Sequence, residues 1–374
     1  MIDTRRSTET QGVQMGPRYP LSDRLVVPDV LRGFAIFAML VAHAAPLVPN
    51  RPGAVEFLRS SLNDVASPLF ALVMGISAAI VIGRTPAAAR TVKGTWIYLA
   101  QNTARGLILV LLGVWLATWG SWIAIVLAPL GFTLIVGAPI ALLRSRWVAA
   151  IALVLAVVSA PIVSATTAAV APWLYFSDPL TKLLIESFLT NPHYRVLNLL
   201  PFFLAGVVLL RHGFTRDRVL PIMLAIGVVA YAMRPILMRY GGDFDYFSGS
   251  YPDTLHDVGL VAAVYVAVVF LVSLTRNPLA AVVSAVFVPF RIIGTLALSI
   301  YVLQVAVVAW MAHPYPPEFG LVNYPLLALA IVVGVPAVGA LWWYFLGDGP
   351  VERIMGFVTG RKTILGKRRV PTAA

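Results

Sequence analysis

The sequence predicts an all-α, polytopic membrane protein of about ten transmembrane helices with both termini cytoplasmic. Three observations carry that prediction. Of 374 residues, 59% are apolar and 12% charged, with a mean hydropathy of +0.86, a balance foreign to soluble domains. Apolar stretches long enough to cross a hydrocarbon layer of about 30 Å recur along the whole chain. Lysine and arginine crowd into alternate connections, as the positive-inside rule requires. The absence of cysteine excludes disulfides, thiol nucleophiles and iron–sulfur or cysteine–zinc sites.

Residues 1–24 are polar, carry Arg5, Arg6, Arg18 and Arg24, and are broken by Gly12, Gly16, Pro17 and Pro20. They read as a disordered basic cytoplasmic tail. A signal peptide is the rival reading, because Arg5 and Arg6 precede an apolar run ending in Ala42-His43-Ala44; the uninterrupted membrane pattern downstream speaks for a retained helix. Spanning stretches follow at 28–48, 65–83, 103–119, 121–143, 147–172, 195–210, 219–238, 255–275, 288–311 and 321–346. Residues 25–350 thus make one transmembrane domain, and 351–374 a basic cytoplasmic tail. The third and fourth stretches are separated only by Trp119-Gly120-Ser121-Trp122, so the sequence leaves open whether they are two helices. With ten helices, 22 of the 28 lysines and arginines fall inside and 6 outside; merging two would scramble that asymmetry. The net charge of +12 therefore reflects topology and contact with anionic lipid, and no nucleic-acid partner is expected. No Walker A loop, GxGxxG or HExxH occurs, which removes support for nucleotide-binding and zinc-protease readings.

The first spanning stretch carries the chemistry. Arg32 and His43 are eleven positions apart, which on a helix returns to within about 20° of the same direction and separates them by roughly 16 Å along the axis. Both are expensive in hydrocarbon, a mark of function. Asp29 is three residues before Arg32 and can pair with it. His43 is roughly 22 Å from the cytoplasmic start of its helix, near the external interface. Asp64, opening the second stretch in Asn63-Asp64-Val-Ala-Ser67-Pro68, can reach that level and fix the imidazole tautomer as a second catalytic group; its plainer role is a helix cap. Arg195 beside His193, Arg234 ahead of Pro235, His256, Gln304 and His313 lie at similar height and suggest a polar cavity open to the outside. Their spacings match no zinc pattern, and no metal is expected. Glu352, in Gly349-Pro350-Val-Glu352, marks a structural turn at the inner side.

Arg32, ten residues and His43, within Asp-x-Leu-Arg-Gly-x-Ala, resemble the opening signature of the membrane acyltransferase 3 family. With Asp64-Val-Ala-Ser-Pro68-Leu-Phe70 the stretch also resembles the start of the heparan-alpha-glucosaminide N-acetyltransferase group. Gly294-Thr-Leu-Ala-Leu-Ser299-Ile-Tyr301-Val-Leu-Gln304 with Gly349-Pro350-Val-Glu352 is similar to the YeiB-like proteins, the domain of unknown function numbered 418. The resemblance implies an acyltransferase of the plasma (inner) membrane: a cytoplasmic acyl-CoA, acetyl-CoA foremost, gives its acyl group to an extracytoplasmic sugar or glycolipid acceptor. Arg32 and His43 carry over as motif arginine and histidine. Arg32, Arg105 and Asp29 are then expected at the donor end, with Arg291 a further candidate, and Arg195, Arg234, His256 and Gln304 at the acceptor. In the glucosaminide group the catalytic histidine lies in the loop after the first helix, and residues 49–63 here hold none, which favours the acyltransferase 3 placement. A transporter or flippase without acyl chemistry, and an inert membrane scaffold, are the alternatives. The lipid bilayer is the certain partner, and homo-oligomerisation is left open.

Overall fold

The computed structural model describes residues 24–49, 52–84, 91–240, 248–274, 279–312 and 324–360, and these are helical with no strand among them. The elements are α1 (Val26–Ala44), α2 (Gly53–Arg84), α3 (Val92–Ala117), α4 (Leu127–Ile140), α5 (Ser145–Leu174), α6 (Pro179–Ile185), α7 (Val196–His212), α8 (Val219–Tyr240), α9 (Tyr251–Val272), α10 (Leu279–Thr295), α11 (Ala297–Ala312), α12 (Pro325–Leu329), α13 (Val335–Leu346) and α14 (Pro350–Val358).

Seven helices among the described residues are long and apolar enough to cross a membrane: α1, α2, α3, α5, α8, α9 and the run Pro325–Leu346. Two expected stretches, 121–143 and 195–210, become the shorter apolar helices α4 and α7. The fourth reaches only about 21 Å at about 1.5 Å per residue. The remaining stretch, 288–311, is a pair, α10 and α11, bent by 77° at its break, and counting it as one span brings the total to eight. Its break has a local cause. Glu352 satisfies the amides of Leu298 and Ser299, so α11 starts as a new helix with its orphan donors capped from outside. In Pro325–Leu346 a π turn, Ala330–Gly334, joins α12 to α13; Pro336, lacking an N–H, removes one regular helical bond there.

The third and fourth stretches are separate antiparallel helices. Residues 118–126 leave the helix and carry Trp122 and Val126 back towards α1 and α11. The second helix starts earlier than expected, at Gly53, stabilised by the Glu56–Arg59 pair. Asp64 is consequently an interior residue of α2 and not its cap, which corrects the capping role considered above.

Helix α1 is the spine of the bundle, with Leu31, Ile36 and Leu40 fully buried. Since lipid offers no hydrophobic drive between spans, close backbone approach at small residues must hold them together. A Cβ on Gly33 would lie 1.8 Å from the carbonyl oxygen of Phe290, and one on Gly294 2.1 Å from that of Asp29. The same reciprocal arrangement locks α2 to α7 through Gly75 and Gly206, and α8 to α9 through Gly227 and Gly259. These contacts set the relative heights of α1 and α10, of α2 and α7, and of α8 and α9.

Candidate functional site

Two polar groups lie at opposite ends of α1. At its N-terminal end Asp29 is 3% exposed and accepts two hydrogen bonds from Arg24, at 2.8 and 3.1 Å. Arg32 lies 3.5 Å from the same carboxylate. It also donates to the Ser77 hydroxyl at 2.7 Å and to the Gly294 carbonyl at 3.4 Å. The sequence-predicted Asp29–Arg32 pair therefore exists, with Arg24 as a third member. Glu352 on α14, within electrostatic reach of Arg32, accepts from the Leu298 and Ser299 amides at 2.7 and 3.1 Å and from the Ser299 hydroxyl. Burial pushes its carboxyl above the ordinary range, opposed by the Ser299 hydrogen bond. Arg105 is half-buried on α3, and Arg291 half-buried on α10; Asp29 pairs with Arg24 and Arg32.

At the far end of α1, His43 Nδ1 meets the side-chain amide of Gln304 on α11. Its own carbonyl accepts from the Trp122 indole at 3.2 Å. Gln304 is fully buried, and its Oε1 has no hydrogen-bond partner among the described residues. Three residues earlier on the same face, Tyr301 is 2% exposed and accepts from the Val126 amide at 3.4 Å. The expected partnership of Asp64 with His43 is not formed. Being inside a longer α2, Asp64 faces α8 and α9 instead: its Oδ2 lies 3.5 Å from Arg234 and 3.5 Å from Nδ1 of His256. His256 is 6% exposed and stacks on Tyr231, the ring centroids 4.9 Å apart. Asp257, the next residue, lies within electrostatic reach of Asp64, Asp253 and Arg234. Arg234 and His256, both expected at the acceptor side, are thus brought together with Asp64, while Gln304 belongs to His43.

Arg195 has a different occupation. Just before α7 and 2% exposed, it donates to the carbonyls of Asn191 and Ser248. Burial takes its pKa down to about 10 against the pull of Asp253. It ties the loop before α7 to the segment before α9, and His193 lies in the same tie through its carbonyl. The neighbouring Tyr194 phenol is pushed up to about 12 by burial and by Asp64. His313 lies outside the described residues. No group of three or more His, Cys, Asp or Glu side chains that could hold a metal occurs among the described residues.

Asp257, Tyr301 and Trp122 had no site role in the sequence reading, although Tyr301 falls within the YeiB-like motif. For Asp257 a signal existed, a carboxylate in the first turns of an apolar stretch. Tyr301 and Trp122 looked like ordinary aromatics, and only the fold turns them towards the polar group.

An all-helical bundle with several membrane-crossing helices and charged side chains buried among them defines a multi-pass membrane protein. Residues 208–362 match the family described as Protein of unknown function (DUF418), in keeping with the YeiB-like resemblance of the C-terminal part. The matched region contains Arg234, His256, Gln304 and Glu352, while Arg32, His43 and Asp64 precede it. No curated protein matches the chain.

Proposed function

We propose that the protein is a membrane acyltransferase that takes an acyl group, acetyl foremost, from cytoplasmic acyl-CoA and gives it to an extracytoplasmic sugar or cell-envelope acceptor. The observation that carries the reading is the placement on one helix of Arg32 and of a histidine whose Nδ1 is held by a buried amide. An amide can present either of its faces to an imidazole. With Gln304 Oε1 turned to Nδ1–H, that oxygen gains the partner it lacks and Nε2 keeps a lone pair. Nε2 then removes the proton from the acceptor hydroxyl as its oxygen attacks the thioester carbonyl. The C–O bond forms, the C–S bond breaks, and the proton passes to the departing thiolate. General-base help of this kind is worth typically 10²–10⁴ in rate. Arg32, whose side chain is part exposed, is the cation on the donor side.

The test is transfer of labelled acetyl from acetyl-CoA to envelope saccharides by the purified protein in nanodiscs. His43→Ala should lose transfer by about 10²-fold or more while eluting as the same folded species. Gln304→Leu should lose most of it, and Gln304→Glu, which still fixes Nδ1–H, should keep more. Undiminished transfer by His43→Ala overturns the assignment.

One observation favours a second reading, a transporter or flippase. The Asp64, Arg234 and His256 group joins three helices, and charged side chains within spans mark substrate or ion pathways. Movement of substrate into proteoliposomes without acyl-CoA would select it.

A further inference from the structure

The C-terminal end of the described chain does something that neither polar group requires. Gly347, at φ 78°, ends α13, and Pro350 opens α14, a helix of nine residues. At about 14 Å it is too short to cross hydrocarbon. At about 100° per residue its positions divide into two faces. Glu352, Met355 and Thr359 turn inwards, with Met355 and Thr359 buried and Glu352 bound to the start of α11. Ile354, Phe357 and Val358 occupy the opposite face and are 61%, 44% and 54% exposed. Arg353, on the flank, donates to the carbonyl of Leu346 at the end of α13, which fixes α14 beside the membrane end of that span.

We propose that α14 lies in the plane of the membrane, its Ile354, Phe357 and Val358 face seated among the acyl chains of an anionic bilayer surface. Two observations select the bilayer over a protein partner. The helix begins four residues after a spanning helix ends, so the lipid surface is already beside it. From Arg353 to Ala374 the sequence carries six basic residues, Arg353, Arg361, Lys362, Lys367, Arg368 and Arg369, and no acid. An amphipathic helix with a basic flank binds an interface by apolar burial plus attraction to anionic headgroups. The inference is independent of acyl transfer and stands or falls without it.

The chain has no native cysteine, so single labels report unambiguously. Ile354→Cys, Phe357→Cys and Val358→Cys are each spin-labelled in the full-length protein in nanodiscs, either zwitterionic or containing phosphatidylglycerol. Collision with oxygen and with an aqueous nickel chelate is then compared. Greater oxygen accessibility at all three positions, deepening in the anionic discs, is the expected result. Replacing the five basic residues from Arg361 to Arg369 by Gln should abolish that deepening. Labels open to the nickel chelate in both discs, shielded from both reagents by protein, or seated in lipid without regard to its charge each overturn the proposal.

Discussion

At the scale of single residues, the polar side chains here are constrained by what they cannot leave unpaired. Asp64 and Arg234 keep 22% and 23% of their side-chain surface exposed. Replacing Asp64 takes away the carboxylate that Arg234 and His256 share. Asp64→Ala should therefore destabilise the protein by about 2–3 kcal/mol, below the about 3–5 of a fully buried pair. Asp64→Ala with Arg234→Ala should recover part of that loss. Thermal unfolding of the two singles and the double in one detergent gives the coupling; additive losses would mean that the two side chains do not act as a pair. The residue scale is also where the sequence was most and least legible. Asp29 and Arg32 are three positions apart, and a helix alone brings them together. His43 and Gln304 are 261 positions apart, and Asp64 and His256 also come from distant helices. Nothing in local periodicity indicates which distant pairs form, so the sequence offers His43 the carboxylate at its own level on the neighbouring stretch, Asp64.

At the scale of elements, helices were legible wherever apolar length alone decides, and their boundaries were not. The loop at 118–126 and the break between α10 and α11 each depend on a partner elsewhere in the fold, and the start of α2 at Gly53 on the side-chain pair Glu56–Arg59. The α10–α11 break is set by Glu352, and it has a pH signature. Burial raises the Glu352 carboxyl above its ordinary value of 4.5, so in the window above that value the folded protein holds a proton that the unfolded chain has released. Stability must then fall as pH rises through the window. Thermal unfolding against pH should show that decline in the native protein and a shallower one in Glu352→Gln, which has no proton to lose. Equal slopes in the two proteins would place the titration elsewhere.

At the scale of the whole molecule, the count of spans and the placement of the ends follow from different evidence. Length and composition support seven or eight crossings among the described residues; the expectation of ten with both termini inside rests on the distribution of 28 basic residues alone. The fold supplies a constraint that links them. Arg211 at the end of α7 donates to the Leu143 carbonyl at 2.7 Å and to the Ser145 hydroxyl at 3.4 Å, so the α4–α5 turn and the end of α7 share one face of the membrane. Labels at Ser145→Cys and Thr215→Cys must then respond alike, whichever face that is. On the positive-inside expectation it is the cytoplasmic face, with Phe176, at the far end of α5, outside. On intact cells an impermeant maleimide should modify Phe176→Cys and leave Ser145→Cys and Thr215→Cys untouched until the membrane is opened. The reverse pattern would turn the molecule over, setting Arg32 against the external face and His43 towards the cytoplasm. Acyl-CoA would then be on the wrong side of Arg32, and transfer in the proposed direction would fail with it.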